Sequence, residues 1–111
     1  MKLSSEDYGE VSVVVLSGEF TAEDTDTFNR SLTDCVSRGA KHAILDLEAV
    51  EFVDSAALES MLSLQERLGE RGGQLRLVRP DSTVVTILSL TRLDLALESH
   101  ESVESAVRSL R

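Results

Sequence analysis

The sequence contains no tryptophan, one proline, one cysteine, one tyrosine and three phenylalanines among its 111 residues. Its hydrophobic fraction of 41% is sufficient for one core, which must therefore be built mainly from aliphatic side chains. The single cysteine, Cys35, excludes an intramolecular disulfide and a cysteine-rich metal site. Because it shares one helical face with Phe28, Leu32 and Val36, we expect Cys35 to be a small buried core residue.

Long apolar runs and targeting signals are also missing. No segment approaches the roughly 20 apolar residues that a membrane span needs, so direct membrane insertion is not expected. Residues 1–7 lack the pattern of a signal peptide, which indicates a cytoplasmic protein. The 20 acidic residues outnumber the 11 basic ones, and the net charge is -9. We therefore expect no nucleic acid and no anionic lipid surface as a direct partner, whereas a basic or mixed-charge protein surface suits this charge.

The motifs of the common enzyme and cofactor classes are absent. His42 and His100 lie far apart in sequence and no metal-ligand spacing is present, so both histidines are expected at the surface rather than at a metal. There is no Gly-x-Ser-x-Gly elbow for a serine hydrolase. A phosphate-binding loop and a Gly-x-Gly-x-x-Gly turn are missing too. We expect neither catalysis by this chain nor a bound cofactor.

Hydrophobic patterning predicts strands that alternate with helices in a single domain over residues 1–111. The expected strands are 2–8, 11–16, 42–47, 74–78 and 93–97, and the expected helices begin near Thr21, Ser55, Ser82 and Val103. Strands separated by helices imply parallel pairing through right-handed crossovers. The first two strands are expected to form a hairpin that turns at Gly9-Glu10, with the polar first strand at an edge. The predicted fold class is α/β, a small mixed sheet with crossover helices in the order β-β-α-β-α-β-α-β-α.

Asp46 is a candidate phosphoacceptor, because it lies at the end of a predicted buried strand. The phosphoacceptor aspartate of response-regulator receivers occupies a similar place. That reaction needs Mg²⁺ held by paired acids after the first strand, but here the first buried strand ends in Leu16-Ser17-Gly18. The reaction also needs a lysine near one of the last strands, and the only lysines are Lys2 and Lys41. We expect Asp46 to be a solvated acid at the strand end.

Ser55 is the most informative residue, because it lies where a strand is predicted to end and a helix to begin. A helix start leaves four backbone N–H groups without partners and carries the positive end of the helix dipole. The Ser55 hydroxyl can cap this helix, alone or together with Asp54, for about 1 kcal/mol. It can also carry a phosphate, whose charge the same N–H groups accept. Spacing alone leaves both roles open.

A phosphate at Ser55 would join a group of acids, Asp46, Glu48, Glu51 and Asp54. It would add a charge of roughly -1.5 to -2, of which the helix start can offset only a part. The remainder would repel an acidic partner surface and disturb a close contact. These properties suit an off-switch on protein binding.

The segment 44–58, ILDLEAVEFVDSAAL, closely resembles the signature of STAS domains, the family of anti-sigma factor antagonists. That signature is a hydrophobic strand, a short loop and then Asp-Ser-Ser/Thr-Gly-Leu. Three further segments resemble the family over essentially the full length: Leu16–Phe20, Gly72–Leu75 and Leu90–Leu93. The resemblance implies the STAS fold for the whole chain.

The resemblance also implies a function and a site. Ser55 corresponds to the serine that a partner kinase, itself the anti-sigma factor, phosphorylates. The unphosphorylated form would bind this kinase and so free the sigma factor, phosphorylation would end the binding, and a PP2C-type phosphatase would restore it. The partner surface would comprise the loop before the helix and the helix start, with the residues Glu51, Phe52, Asp54, Ala56, Ala57 and Leu58.

The chain departs from the family pattern at Ala56 and Ala57, where Ser/Thr and Gly are usual. Ala56 leaves Ser55 as the sole hydroxyl of the motif. Ala57 adds a methyl group where glycine would allow close backbone approach, and alanine favours helix over glycine by up to about 1 kcal/mol. The resemblance leaves an alternative function open, a soluble STAS subunit that scaffolds a membrane ABC transport complex of the lipid type. In that role Ser55 would be a cap only.

Overall fold

A five-stranded mixed sheet organises the chain, in the strand order β1-β2-β3-β4-β5. The computed structural model describes all residues, 1–111. The strands are β1 Lys2–Tyr8, β2 Val11–Phe20, β3 His42–Val53, β4 Leu75–Val78 and β5 Ser99–His100. The helices are α1 Thr25–Ser37, α2 Ser55–Glu70, α3 Ser82–Leu90 and α4 Val103–Arg108, with short 3-10 helices at Ala22–Asp24 and Leu93–Leu95. The predicted fold class and element order are confirmed.

Strand pairing follows from the connections. The β1–β2 hairpin is antiparallel and turns at Gly9, whose φ of +61° is a conformation that glycine adopts without a steric cost. All other neighbouring strands are parallel and are joined through helices. The polar β1 occupies the edge of the sheet, as its composition predicts.

The core lies mainly on one face of the sheet. A cluster of 22 buried residues joins β2, β3 and β4 to α1, α2 and α3. Cys35 is 1% exposed within it, as predicted, and the rings of Phe20 and Phe28 pack at 4.8 Å between centroids. The opposite face carries a small cluster under α4, formed by Ile44, Val78 and Ala106. None of the four helices combines the length and the apolar character that crossing a membrane requires.

Strand β3 is longer than the expected 42–47, because pairing with β2 continues to Phe20 and Val53. The register between β2 and β3 shifts twice, once between Val15 and Ser17 and once between Gly18 and Glu19, and each time β3 carries one extra residue. These bulges keep the second half of β3 paired with β2. On its other side β3 pairs with β4 only as far as Asp46. The second half of β3 therefore projects beyond β4 and places its last residues, and the start of α2, at the end of the molecule.

The expected strand 93–97 is wrong. Arg92 adopts a left-handed conformation, a 3-10 turn follows, and the last strand is Ser99–His100. The leucines alternate as in a strand, but the Leu97 N–H donates to the carbonyl of Leu93 at 2.8 Å. As a result Leu97 is buried while Leu95 is 81% exposed.

Two polar residues of β3 lie in places that their sequence positions did not predict. His42 is 6% exposed rather than at the surface, and its Nδ1 accepts the backbone N–H of Gln74 at 3.0 Å. Asp46 is not a solvated acid at a strand end, because it lies within β3 and its Oδ2 accepts from Arg79 Nη2 at 2.8 Å. In both cases the partner is a residue that directly flanks β4, Gln74 before it and Arg79 after it, more than 30 positions away, which local patterning cannot reveal.

Candidate functional site

Asp54 is the N-cap of α2, and its carboxylate makes two hydrogen bonds to the backbone. Oδ1 accepts the N–H of Ala57 at 2.9 Å, which caps the helix. Oδ2 accepts the N–H of Ala22 at 2.8 Å, in the turn that follows β2. The backbone N–H of Asp54 also donates to the carbonyl of Phe20 at 3.2 Å. Asp54 therefore holds the end of β3, the start of α2 and the turn after β2 together.

Ser55 is the first residue of α2 and is exposed. Asp54 supplies the cap, so of the two roles that the sequence left open for Ser55 the capping role falls to its neighbour, and the Ser55 hydroxyl is free for another role. The backbone N–H groups of Ala57 and Leu58 donate to the side chain and the carbonyl of Asp54, whereas those of Ser55 and Ala56 have no partner within the chain. Two free donors at the positive end of a helix can receive an anion attached to Ser55.

The residues that were expected around Ser55 divide into exposed and buried groups. Glu51 and Phe52 are exposed, and Phe52 shows 39% of its surface. Both are among the last residues of strand β3 rather than part of a loop, so their backbone positions are fixed by pairing in the sheet.

Asp54 and Ala56 are partly exposed, but Ala57 and Leu58 face the core with 0% and 5% exposure. The position of Ala57, where the family has glycine, is thus filled by a methyl group that packs inward. Ala57 and Leu58 offer almost no surface to a partner.

Fewer unpaired acidic side chains surround Ser55 than the sequence indicates. Arg79 forms ion pairs with Asp46, at 2.8 Å, and with Glu48, so these two acids have a basic partner. Both carboxylate oxygens of Asp54 accept backbone N–H groups. Glu51 remains without a basic partner and is exposed. The surface at Ser55 is acidic but not strongly so.

Sequence reasoning missed the turn Ala22–Asp24, which the Asp54–Ala22 bond brings beside Ser55. Within this turn the Thr21 N–H donates to Asp24 Oδ2 at 3.0 Å in a capping box. This hydrogen bond lowers the pKa of Asp24, which keeps the carboxyl ionised. The turn adds Glu23, an exposed acid, to the neighbourhood of Ser55. No local signal in the sequence links residue 22 to residue 54.

A second Asp-Ser pair has the same local arrangement. Asp81 caps α3 by accepting the Val84 N–H at 3.0 Å, and Ser82 is the exposed first residue of that helix. Both pairs follow parallel strands, β3 and β4, and therefore lie beyond the carboxyl ends of the strands. Local geometry alone does not distinguish Ser55 from Ser82. The site contains no group of three or more His, Cys, Asp or Glu side chains arranged for a metal ion.

Comparison with known proteins gives a consistent result. The family model described as STAS domain matches residues 2–106. A Thermotoga maritima protein provisionally named as an anti-sigma factor antagonist is 26% identical over 103 residues, with 92% of this chain and 91% of that protein covered. The anti-sigma F factor antagonist of Paenibacillus polymyxa is 22% identical, with 99% and 95% covered.

Solved structures show the same fold. The unphosphorylated form of the anti-sigma factor antagonist SpoIIAA superposes with a TM-score of 0.82 at 19% identity, covering 96% of this chain and 93% of that one. The phosphorylated form of SpoIIAA, a Bacillus cell fate determinant, gives a TM-score of 0.74 at 18% identity, covering 96% and 97%.

Proposed function

The chain belongs to the STAS domain family, and we propose that it is an anti-sigma factor antagonist of a partner-switching pathway. In its unphosphorylated form it binds a serine kinase that is also the anti-sigma factor, and phosphorylation of Ser55 releases it. A PP2C-type phosphatase restores the binding form. The chain acts in the cytoplasm as a non-catalytic switch, with residues 1–111 as one STAS domain.

The observation that carries this proposal is the division of roles between Asp54 and Ser55. Asp54 caps α2 and Ser55 is exposed, so the Ser55 hydroxyl can react without loss of the cap. Ser82 shares this geometry, and the match of Ser55 to the phosphorylated serine of the family motif is what favours Ser55. The curated relatives named as anti-sigma factor antagonists align with nearly the whole chain, which supports the same role.

The partner surface consists of Ser55 and the side chains that are exposed around it. These are Glu51, Phe52, Asp54 and Ala56, with Glu23 added by the neighbouring turn. Phe52 offers an exposed apolar ring, which fits an apolar pocket on the kinase. Ala57 and Leu58 contribute by packing beneath this surface rather than by contact.

Phosphorylation at Ser55 changes this surface in a specific way. The Ser55 oxygen forms a bond to the γ-phosphorus of ATP, the bond from that phosphorus to the β,γ-bridging oxygen breaks, and the hydroxyl proton passes to a base of the kinase. The product carries roughly -1.5 to -2 charge within the contact. Burying that charge costs several kcal/mol unless it is paired, and the phosphates of the ADP formed in the reaction repel it. The free N–H groups of Ser55 and Ala56 stabilise the phosphate on the released form.

Substitution of Ser55 tests this proposal directly. We expect Ser55→Asp to abolish binding to the kinase and Ser55→Ala to bind constitutively, as measured by calorimetry with the purified kinase. The matched controls are Ser82→Asp and Ser82→Ala, which change the equivalent residue of α3 and should bind like the wild type. Equal affinity of the Ser55 variants and the wild type would contradict the switch.

The kinase reaction itself supplies a second test. Incubation with the kinase and ATP should add one phosphate, lost in Ser55→Ala and retained in Ser82→Ala by mass spectrometry. A phosphate mapped to Ser82 would refute the assignment of Ser55. A pull-down from the source cell that captures a permease and an ABC ATPase, with no kinase, would instead support the transport-complex alternative.

A further inference from the structure

Helix α3 and the turn that follows it form a surface almost without charge. No residue of Ser82–Leu90 is charged, although the chain carries 20 acids and 11 bases. The only charges between Ser82 and Leu97 are Arg92 and Asp94. Large apolar side chains are nevertheless exposed here: Val85 at 47%, Leu90 at 80% and Leu95 at 81%. Leu90 and Leu95 are the two most exposed large hydrophobic residues of the protein, which marks a contact surface.

Two adjoining depressions join Val85 and Leu95 in one continuous area. Ser89, Arg92, Asp94 and Leu95 line a shallow depression of about 330 Å³. An adjoining depression of about 300 Å³ shares Ser89 and Asp94 with it and extends to Val85. We call this area the α3 patch, with the residues Val85, Ser89, Arg92, Asp94 and Leu95. It therefore combines an apolar surface with one positive and one negative side chain.

Arg92 is held in a costly backbone conformation. Its φ is +62°, in the left-handed region, directly after the end of α3. Glycine adopts this conformation without a steric cost and is the usual residue at this position of a helix end. A side chain other than glycine, asparagine or aspartate costs on the order of 1 kcal/mol there.

Neither Arg92 nor Asp94 forms an ion pair within the chain; the ion pairs of the chain's basic groups involve Met1, Arg38, Arg76, Arg79, His100 and Arg108. The guanidinium of Arg92 therefore stabilises nothing in the monomer that would offset its backbone strain. This combination indicates a use outside the monomer.

We propose that the α3 patch binds a second copy of this chain, as a two-fold symmetric dimer in which Arg92 of each copy pairs with Asp94 of the other. A two-fold interface is self-complementary, so one acid and one base that are close together on the same patch give two reciprocal ion pairs. The exposed side chains of Val85 and Leu95 pack around them. Each copy carries a net charge of -9, and the α3 patch is a surface where two copies meet without bringing unpaired acids together.

The size of the α3 patch sets the strength of the dimer. Standard protein interfaces use about 20–30 residues on each side, whereas the patch has five. We therefore expect a weak, reversible dimer with a dissociation constant on the order of 100 μM. Sedimentation equilibrium from about 10 μM to 1 mM of the full chain covers this range.

A charge-reversal experiment tests the reciprocal pairs. Arg92→Glu gives a patch with two acids, and Asp94→Arg gives a patch with two bases, so each variant alone repels its own copy. We expect each variant to dimerise at least about tenfold more weakly than the wild type. An equimolar mixture restores both ion pairs, because every acid of one variant faces a base of the other. The mixture should form a heterodimer at least as strong as the wild-type dimer.

Arg92→Gly is the control for folding. It removes the side chain and the backbone strain together, so it should unfold at a higher temperature than the wild type and still dimerise more weakly. Leu95→Asp tests the apolar part of the patch and should also weaken the dimer.

A wild-type chain that is monomeric at about 1 mM overturns the proposal. So does a dimer that survives in both single charge variants, or a mixture of the two variants that remains as weak as each alone.

Discussion

The carboxylate of Asp54 accepts the backbone N–H of Ala22 at 2.8 Å, across 32 positions of sequence. The same carboxylate caps α2 through the N–H of Ala57. One side chain thus fixes two backbone segments relative to each other and holds Ser55 at their junction. The position of the proposed phosphorylation site depends on Asp54 more than on Ser55 itself.

Replacing Asp54 should therefore destabilise the fold. Asp54→Ala removes a helix cap, worth about 1 kcal/mol, and leaves the Ala22 N–H without its partner, for a total loss of about 2–3 kcal/mol in the free energy of unfolding. Asp54→Asn keeps one acceptor oxygen and should lose less. Urea denaturation measures both variants. A loss below about 0.5 kcal/mol in Asp54→Ala would show that the two hydrogen bonds do not hold the site.

Replacing Ser55 should leave stability almost unchanged, because its hydroxyl does not cap the helix. We expect Ser55→Ala to change the free energy of unfolding by less than about 0.5 kcal/mol. Ser102 provides the comparison, since its Oγ accepts the Ser105 N–H at 3.0 Å as the N-cap of α4. Ser102→Ala should cost about 1 kcal/mol in the same denaturation experiment. An equal cost for both variants would show that Ser55 also acts as a cap.

Gly73 should tolerate no side chain. A Cβ at this position would lie 1.7 Å from the carbonyl oxygen of Lys41, which belongs to the backbone that leads into β3. We expect Gly73→Ala to lose at least about 3 kcal/mol in the free energy of unfolding. The control is Gly69→Ala, within α2, where a Cβ meets no atom within 4 Å and alanine should stabilise the helix by about 0.8–1 kcal/mol. Thermal unfolding of the two variants should shift in opposite directions.

The buried His42 predicts a loss of stability in weak acid. Burial lowers the pKa of His42 from its ordinary value of 6.5, and the positive charge of Lys41 adds to this effect. The unfolded chain therefore binds the proton more readily, so stability is complete above about pH 6.5 and falls as the pH drops toward the folded-state pKa. Thermal unfolding between pH 7.5 and pH 5.5 measures this fall.

His42→Asn is the control for this pH dependence, because its Oδ1 can still accept the Gln74 N–H but does not titrate. The variant should lose less stability than the wild type between pH 7.5 and pH 5.5. The carboxyls of Asp7, Asp24 and Glu98 have lowered pKa values and stay ionised in that range, so they do not contribute. Parallel pH profiles of the two proteins would contradict the role of His42.

The sequence predicted the site in outline but not in detail. The position of Ser55 at a strand-to-helix junction and the identity of the acid beside it followed from local patterning. The sequence left open whether Ser55 or Asp54 caps α2, because Asp and Ser are both good caps and adjacent positions differ only in backbone conformation. The Ala22–Asp24 turn was missed as a neighbour of Ser55, since only the parallel pairing of β2 with β3 brings the two ends together.

The order of the elements, and the positions of all of them except the last strand, were determined by the sequence alone, because periodicities of 2 and 3.6 residues and the turn-forming glycines act over a few neighbouring positions. The same local information determined the hairpin at Gly9, the helix after Asp81 and the burial of Cys35. Only the tertiary structure decided that β3 extends to Val53, that Leu95 is exposed and that Arg79 pairs with Asp46. These outcomes depend on contacts between residues distant in the sequence, and such contacts form only when the sheet is assembled.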